Sequence, residues 1–561
     1  MPVMPETLKE AVLEHCRREP GRLYVRCLMP DGAVAPVTYG ELVARGSRFA
    51  RALAALGARR SDIVIVILPH SPDLFCAFFG AVLGGQVPAI LAPPSFKLNR
   101  EHYRDELFAL LRRIDARVVV TDAETAALVG AEAGRLGSAT LLLAGDLAPG
   151  EAPVPEVAPA PDDLVLLQHS SGSTGLKKGV ALSNRAVLNQ IRSYAPTLRL
   201  ERDDGVASWL PLYHDMGLIA CTILPAVTGV PVTAISPLQW VTRPSVLLKA
   251  ISDYRCTLTW MPNFAYEFLA QRVRASQVGG VRLDSMRAWI NCAEPTIAQS
   301  HRRFLERFEP MGVKPESLWT CYAMAETVFA VSQSSDGAPA RVERLEREAF
   351  QTRGAAIPVG PGEAPSVEVM SGGALLAGTQ VRIVDERRQD LEERRVGEIA
   401  IHCDSLFTGY FRDPETTARS LADGWYYSGD LGYVADGHVF ITGRKKDLLI
   451  IAGKNYYPQD IERVVCSVPG VYPGRVVALG LDDPAIGTQR LVVLAEVENE
   501  SQVDDPALAA SVRTQLAGEL DCVIDDLRLL PHMWLLKTSS GKIARAPNLQ
   551  RFLETFHGSR A

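Results

Sequence analysis

Residues 169–180 read HSSGSTGLKKGV and follow directly on the apolar run DLVLLQ. That order predicts a strand feeding a loop rich in Ser, Thr and Gly. Such a loop can turn backbone N–H groups and hydroxyls toward phosphate oxygens, with Lys supplying charge. It is not a Walker A loop, which needs G-x-x-x-x-G-K-[ST], because the fifth residue after Gly172 is Lys177. A P-loop NTPase is disfavoured on that ground. By itself the segment reads equally well as a flexible polar loop. Further along lie Glu326 in YAMAE, Asp430 in YYSGD, the cluster Arg444-Lys445-Lys446-Asp447, and Lys542 at the end of KTSSGK. Each has a bland reading too, since an SGD is usually a turn and a Gly-Lys near a C-terminus is usually solvated. The lysines argue against blandness. Of 59 basic residues only 11 are Lys, and seven of those 11 fall in residues 169–180, 443–462 and 537–545. Uniform placement would put about one there. A compact, flexible ammonium is wanted at these places rather than a planar guanidinium fork.

Taken in order, these segments resemble the signatures of the adenylate-forming superfamily: acyl-CoA synthetases, adenylation domains of peptide synthetases, and luciferases. Ser170, Ser171, Gly172, Ser173, Thr174, Gly175, Lys178 and Gly179 match its phosphate loop, with Lys177 where Pro is usual. Cys292-Ala293-Glu294-Pro295 resembles the adenine-contact loop, which assigns Ala293 and Glu294 to the nucleotide. Tyr322-Ala323-Met324-Ala325-Glu326 resembles Y-G-x-[TA]-E, in which Tyr322 would stack on adenine and Glu326 would hold Mg²⁺. Asp430 would accept the ribose hydroxyls and Arg444 would reach the ribose. Lys446 stands at the hinge of the C-terminal domain. Lys542 would be the catalytic lysine, with Leu536 in place of the usual Pro. The implied reaction joins a carboxylate and ATP to give acyl-adenylate and pyrophosphate. Catalysis would be positioning and charge neutralisation. A carboxylate is already ionised at pH 7, so His169 and His214 receive no acid–base role.

Several segments resemble the stand-alone fatty acyl-AMP ligases most. These are WLPLYHDMGLI (209–219), WMPNFAYEFLAQR (260–272), GKNYYPQDIE (453–462) and Ala325. They imply an acyl pocket with His214 at its mouth, shaped by Gln239, Trp240 and Asn263, the last expected to cap its helix. The stretch between Val331 and Ala374 is longer than in CoA-forming relatives. The resemblance implies an insertion there that hinders the rotation CoA needs. The adenylate would then pass to the phosphopantetheine thiol of an acyl carrier protein acting in trans. An acyl- or aryl-CoA synthetase is the alternative. A non-catalytic nucleotide-binding relative is disfavoured, since Glu326, Asp430 and Lys542 are all present.

The elements that must carry these residues follow from pattern. The chain has 561 residues, 47% hydrophobic and 22% charged, as in an ordinary globular enzyme. A net charge of -6 argues against a nucleic-acid-coating protein. Ten dispersed Cys without a CxxC pair predict reduced thiols and a cytoplasmic location. The uncharged run 218–235 is interrupted by Pro225, Gly229 and Pro231, so no membrane span is expected. Residues 5–60 read as amphipathic helix. SDIVIVILPHS, DLFCAFFGAVLGG and ARVVVTDAE alternate strand and helix, predicting an α/β fold with a largely parallel sheet. Residues 147–163, rich in Pro, predict an extended surface loop. A β-rich subdomain is expected over 379–443. The domains expected are 1–443, a hinge at 444–447, and an α+β unit over 448–561.

Overall fold

Ile63–Ile67 reads IVIVI, and every one of its residues is buried. A strand without a polar face must be covered on both sides, as in a parallel sheet between helices. The computed structural model describes the whole chain except residues 1–4, 95–99, 131, 149, 171–177, 336, 484–487, 538–541 and 558–561, with backbone only at 102, 133, 170 and 557. In it Ile63–Ile67 lies between Val87–Ile90 and Val118–Thr121 in a four-stranded parallel sheet. A second sheet is larger. Its centre is parallel, with Val206–Ser208, Leu258–Met261, Ala288–Asn291 and Leu318–Ala323 side by side. Beyond Leu318–Ala323 the pairing turns antiparallel through Ala330–Gln333 and Ser366–Leu375 to His438–Arg444, Trp425–Ala435, Gly397–Cys403 and Thr379–Val384. The strands expected over 379–443 are therefore present, but they continue the large sheet. A small third sheet pairs Leu164–Ser170 with Lys178–Ser183 and the latter with Gly409–Tyr410.

The N-terminal expectation needs correction. Residues 5–60 are not helical throughout. Helix Leu8–Arg18 is followed by the antiparallel strands Leu23–Leu28 and Val34–Thr38 before helix Tyr39–Ala55. LYVRCL and the Asp31-Gly32 turn carry a hairpin signal that the flanking helical pattern obscured. Lys9, on the first helix, donates from Nζ to the carbonyls of Pro155 and Val157, both at 2.6 Å, and so pins the Pro-rich stretch to the surface. The run 218–235 is cut into a π-helix, Met216–Ile223, a helix Leu224–Thr228 and a strand Val232–Ile235. Among the described residues no helix is long and apolar enough to cross a membrane.

The C-terminal part shows the period-two logic of a strand covered on both faces. Val476, Ala478, Leu491, Val493 and Ala495 pack with helices Pro458–Cys466 and Pro506–Leu520. The alternate residues Val477, Leu479, Val492 and Leu494 pack with Leu535 and Phe552. The first of these clusters is drawn entirely from residues 449–529 and begins just after the expected hinge.

One buried ion pair ties the central strands together. The Asp204 side chain is only 5% exposed and meets Arg287 Nη2 at 2.6 Å. It also accepts from Thr257 Oγ1 at 2.6 Å and from the Glu201 amide at 2.8 Å. Burial opposes its charge, but the bonds from Arg287 and Thr257 outweigh that and hold the carboxyl below its ordinary value. A depressed folded pKa means that the stabilisation is complete above the unfolded carboxylate pKa and is lost as pH falls through the folded one. Arg287→Ala should destabilise the chain at neutral pH toward the lower end of roughly 3–5 kcal/mol, since the Arg is partly exposed. Urea titrations should show that deficit narrowing as the pH is lowered; a deficit constant with pH would contradict this account.

Candidate active site

The strand register fixes the first contact. Ser170 and Lys178 are partners at the ends of two antiparallel strands, and the loop between them is the expected phosphate loop. Ser171, Gly172, Ser173, Thr174, Gly175 and Lys177 lie outside the described residues, and Ser170 is described by its backbone only. Lys178 is placed with its ammonium 4.9 Å from the centre of the Tyr410 ring. The pairing of Lys178–Ser183 with Gly409–Tyr410 brings that ring there. The Tyr410 hydroxyl donates to Glu326 Oε1 at 2.8 Å. Glu326 stands in the single 3₁₀ turn Ala325–Thr327. Burial raises its carboxyl above the ordinary value, and the Tyr410 hydroxyl pulls it partly back. Lys178, Tyr410 and Glu326 thus form one chain, although their positions span 232 residues of sequence. Tyr410 was not singled out from sequence. Its strand is two residues long and shows no periodicity; the only signal was Gly-Tyr four residues ahead of Pro414.

A second corner gathers Tyr322, Asp430 and Arg444. The Tyr322 hydroxyl donates to Asp430 Oδ2 at 2.8 Å, and Arg444 Nε lies 3.2 Å from Asp430 Oδ1. Asp430 and Arg444 are cross-strand partners, so the sheet itself sets this pair. Lys446 follows in the short turn Lys445–Asp447. Burial, and then the charge of Arg444, lower its ammonium pKa.

Lys542 arrives from the C-terminal part. Its ammonium donates to the carbonyl of Ala293, which sits at φ +73°, an unfavourable conformation for a residue with a side chain. The segment after Lys542 is held by Arg545, whose guanidinium pairs with both oxygens of Glu462. Glu462 closes the GKNYYPQDIE segment, so the hinge-side motif and the lysine motif are joined by one fork-on-fork ion pair. Asp215 lies near Lys542. Burial raises its carboxyl, while the Met216 amide, donating at 2.8 Å, and the Lys542 charge oppose that. Asp215 follows His214 and opens the π-helix. Such helices often mark functional positions. Two residues on, Gly217 is obligatory, since a Cβ there would stand 2.3 Å from the Pro211 carbonyl oxygen.

Asn263 departs from its expected role. It does not cap the helix Asn263–Arg272, which is preceded by Pro262 as the cap residue. Its side-chain oxygen is occupied by the Asn291 amide at 3.0 Å and the Ile297 backbone N–H at 3.1 Å. The helix start is served instead by Glu294, whose Oε2 accepts from the Phe264 N–H at 3.2 Å. Ala293 and Glu294 are therefore fastened on both sides, by Asn263 beneath and the Phe264 helix beside them. Trp240 is fully buried against Trp209, and His214 stands with its ring 5.0 Å from that of Tyr213.

The family described as AMP-binding enzyme matches residues 12–411. The chain is 32% identical over 514 residues to the medium-chain-fatty-acid–[acyl-carrier-protein] ligase JamA of Moorena producens (strain JHB), covering 88% of this chain and 86% of that one. It is 28% identical over 587 residues to the long-chain-fatty-acid–AMP ligase FadD26 of Mycobacterium marinum (strain ATCC BAA-535 / M), covering 98% of each. A solved structure from work on the fatty acyl-adenylate ligases of E. coli and L. pneumophila superposes with a TM-score of 0.90 at 28% identity, covering 99% of this chain and 98% of that chain.

The link between Tyr410 and Glu326 has a measurable consequence. Tyr410→Phe removes a hydrogen bond that lowers the Glu326 pKa, so the variant carboxyl should titrate at higher pH. The acid limb of the pH–rate profile for ATP-dependent turnover of an acid should move upward. An unmoved limb would separate Tyr410 from Glu326.

Proposed function

We propose that this chain, which belongs to the family of AMP-binding enzymes, activates a fatty acid with ATP and passes the acyl group to the thiol of a separate acyl carrier protein. One observation carries the reading furthest. Lys542, on the C-terminal side of the hinge motif, reaches the Ala293 carbonyl on the loop expected to contact adenine. Beside it stand the Asp430–Arg444 pair and the Lys178–Tyr410–Glu326 chain.

In the first half-reaction a carboxylate oxygen of the acid attacks the α-phosphorus of ATP, and the bond from that phosphorus to the α,β-bridging oxygen breaks, so the β- and γ-phosphates leave as pyrophosphate. Attacking and leaving groups are both anionic, so the site must neutralise charge at both ends. Lys542 bridges the carboxylate and the α-phosphate, exchanging its Ala293 partner for them. Lys178 and the loop 170–175 take the departing pyrophosphate. Asp430 accepts from the ribose hydroxyls, and Arg444 holds that carboxylate in place. Tyr322, Ala293 and Glu294 frame the base. The residues around Glu326 suit Mg²⁺: a buried carboxylate whose second oxygen is free of the Tyr410 bond is an oxygen donor of the hard kind this ion takes. When bound there, Mg²⁺ supplies charge neutralisation for the phosphates.

The second half-reaction needs the lysine segment to leave, and we place the pivot at 444–447. Two features favour a carrier protein over CoA. Relatives over nearly the whole chain include a fatty-acid–acyl-carrier-protein ligase. The long stretch after Val331 forms the strand Val342–Glu346 and the helix Arg347–Arg353, and Phe350 packs 5.6 Å from the Tyr457 ring, beyond the pivot. That contact ties the insertion to the part that must rotate.

Lys542→Ala should leave ATP binding near normal yet slow acyl-adenylate formation by about a hundredfold or more. Equilibrium nucleotide binding and single-turnover formation of acyl-AMP separate the two effects; a normal first half-reaction would remove Lys542 from the role. For the acceptor, preformed acyl-AMP enzyme should transfer to a holo acyl carrier protein much faster than to CoA. Efficient acyl-CoA formation would favour the alternative, an acyl-CoA synthetase.

A further inference from the structure

Aromatic rings gather beside the helix Asn263–Arg272. Trp209 follows the strand Val206–Ser208, and Trp240 lies on the helix Pro237–Thr242. The two indoles stack with centroids 3.6 Å apart and planes within 5°. Phe264 stands edge-on to both, at 6.2 and 6.3 Å, and Phe268 lies 5.1 Å from Trp240. Trp240 is fully buried and Trp209 nearly so, whereas Phe264 and Phe268 are half-buried. The Phe264 N–H is the one that Glu294 holds, and Glu294 adjoins Ala293, to which Lys542 donates. A continuous line thus runs from the reacting ammonium through Ala293, Glu294 and Phe264 to the indole pair. On the far side of the helix Pro237–Thr242, Leu238 and Val241 are exposed at 58% and 51%. The barrier is therefore one helix thick.

We propose that Trp209 and Trp240 are the end wall of the acyl pocket and restrict the enzyme to short and medium-length acids. This rests on the acid-activating reading above. Two indoles in face contact, with almost no exposed surface, leave no channel between them. A long alkyl chain could pass only by unstacking both rings, which gives up their face contact and burial together. A chain that ends at the wall keeps both and covers the half-exposed phenyl rings. Removing one indole would open a path toward Leu238 and Val241, so the restriction should fail without a new limit replacing it.

The test uses the full chain and ATP–pyrophosphate exchange with butanoate, octanoate, dodecanoate and hexadecanoate. In the unmodified enzyme kcat/KM for octanoate should exceed that for hexadecanoate by roughly tenfold or more. Trp240→Ala should bring the two acids close to parity. Trp240→Phe, which keeps a ring in the stack, should retain the preference. Trp209→Leu provides the same test if Trp240→Ala does not fold. Equal use of hexadecanoate by the unmodified enzyme, or an unchanged ratio in a folded Trp240→Ala or Trp209→Leu, would overturn the wall. No exchange with any acid would overturn the acid-activating reading itself, and the wall with it.

Discussion

An acid and a nucleoside triphosphate repel each other, and bringing them within bonding distance in a partly buried site is the constraint on which this architecture turns. The repulsion grows as water is excluded. It can be met only by cations whose own burial is compensated. No single segment supplies them. Lys178 comes from a strand end in the first third of the chain, Arg444 from the last strand of the large sheet, and Lys542 from a loop beyond a separate hydrophobic cluster. Each is given a partner that holds it without consuming it. Lys178 lies over the face of Tyr410, Arg444 against Asp430, and Lys542 on a carbonyl oxygen. A neutral carbonyl is the weakest of these partners and the easiest to exchange. That suits the one cation that the proposed mechanism requires to move.

The same constraint explains why lysine is concentrated where it is. Arg carries most of the positive charge on the surface, often in ion pairs such as Arg135 with Asp105 and Glu132. Lys178, Lys446 and Lys542 stand in the candidate site or at the proposed hinge, where a point charge on a flexible stem could follow a phosphate or let go of it. The enrichment is not uniform in meaning. Lys445 pairs with Glu398 and Lys454 with Asp521, both on the outside. Their positions in the motifs go with these ion pairs on the outside.

Much of the site was legible because the chemistry is carried by short segments of distinctive composition. Tyr322, Asp430 and Arg444, each singled out from its own motif, stand together in the structure, and the four-stranded parallel sheet followed from apolar runs such as IVIVI. What was not legible depended on tertiary pairing. Tyr410 is defined by a two-residue strand that only Lys178–Ser183 stabilises. Asp215 matters because Lys542 comes to it from more than 300 residues away. The N-terminal hairpin was hidden between two helices whose amphipathic pattern dominated its neighbourhood.

The exchange of roles between Asn263 and Glu294 shows most clearly how such a site is built. Local logic makes Asn263 a helix cap, since Asn before an apolar helical run offers its side-chain oxygen to the first turn. The fold spends that oxygen on the Ile297 amide and Asn291, fixing the loop that carries Ala293. The orphaned helix start must then find another acceptor, and Glu294 from the same loop provides it. The loop at the Lys542 contact and the helix Asn263–Arg272 are thereby bound reciprocally. A change in the acyl pocket that tilts the helix must move Glu294, and with it Ala293 and the resting partner of Lys542. On the proposed mechanism, acid recognition and the position of the charge that promotes adenylate formation would be coupled by two adjacent residues, with no need for a longer route through the protein.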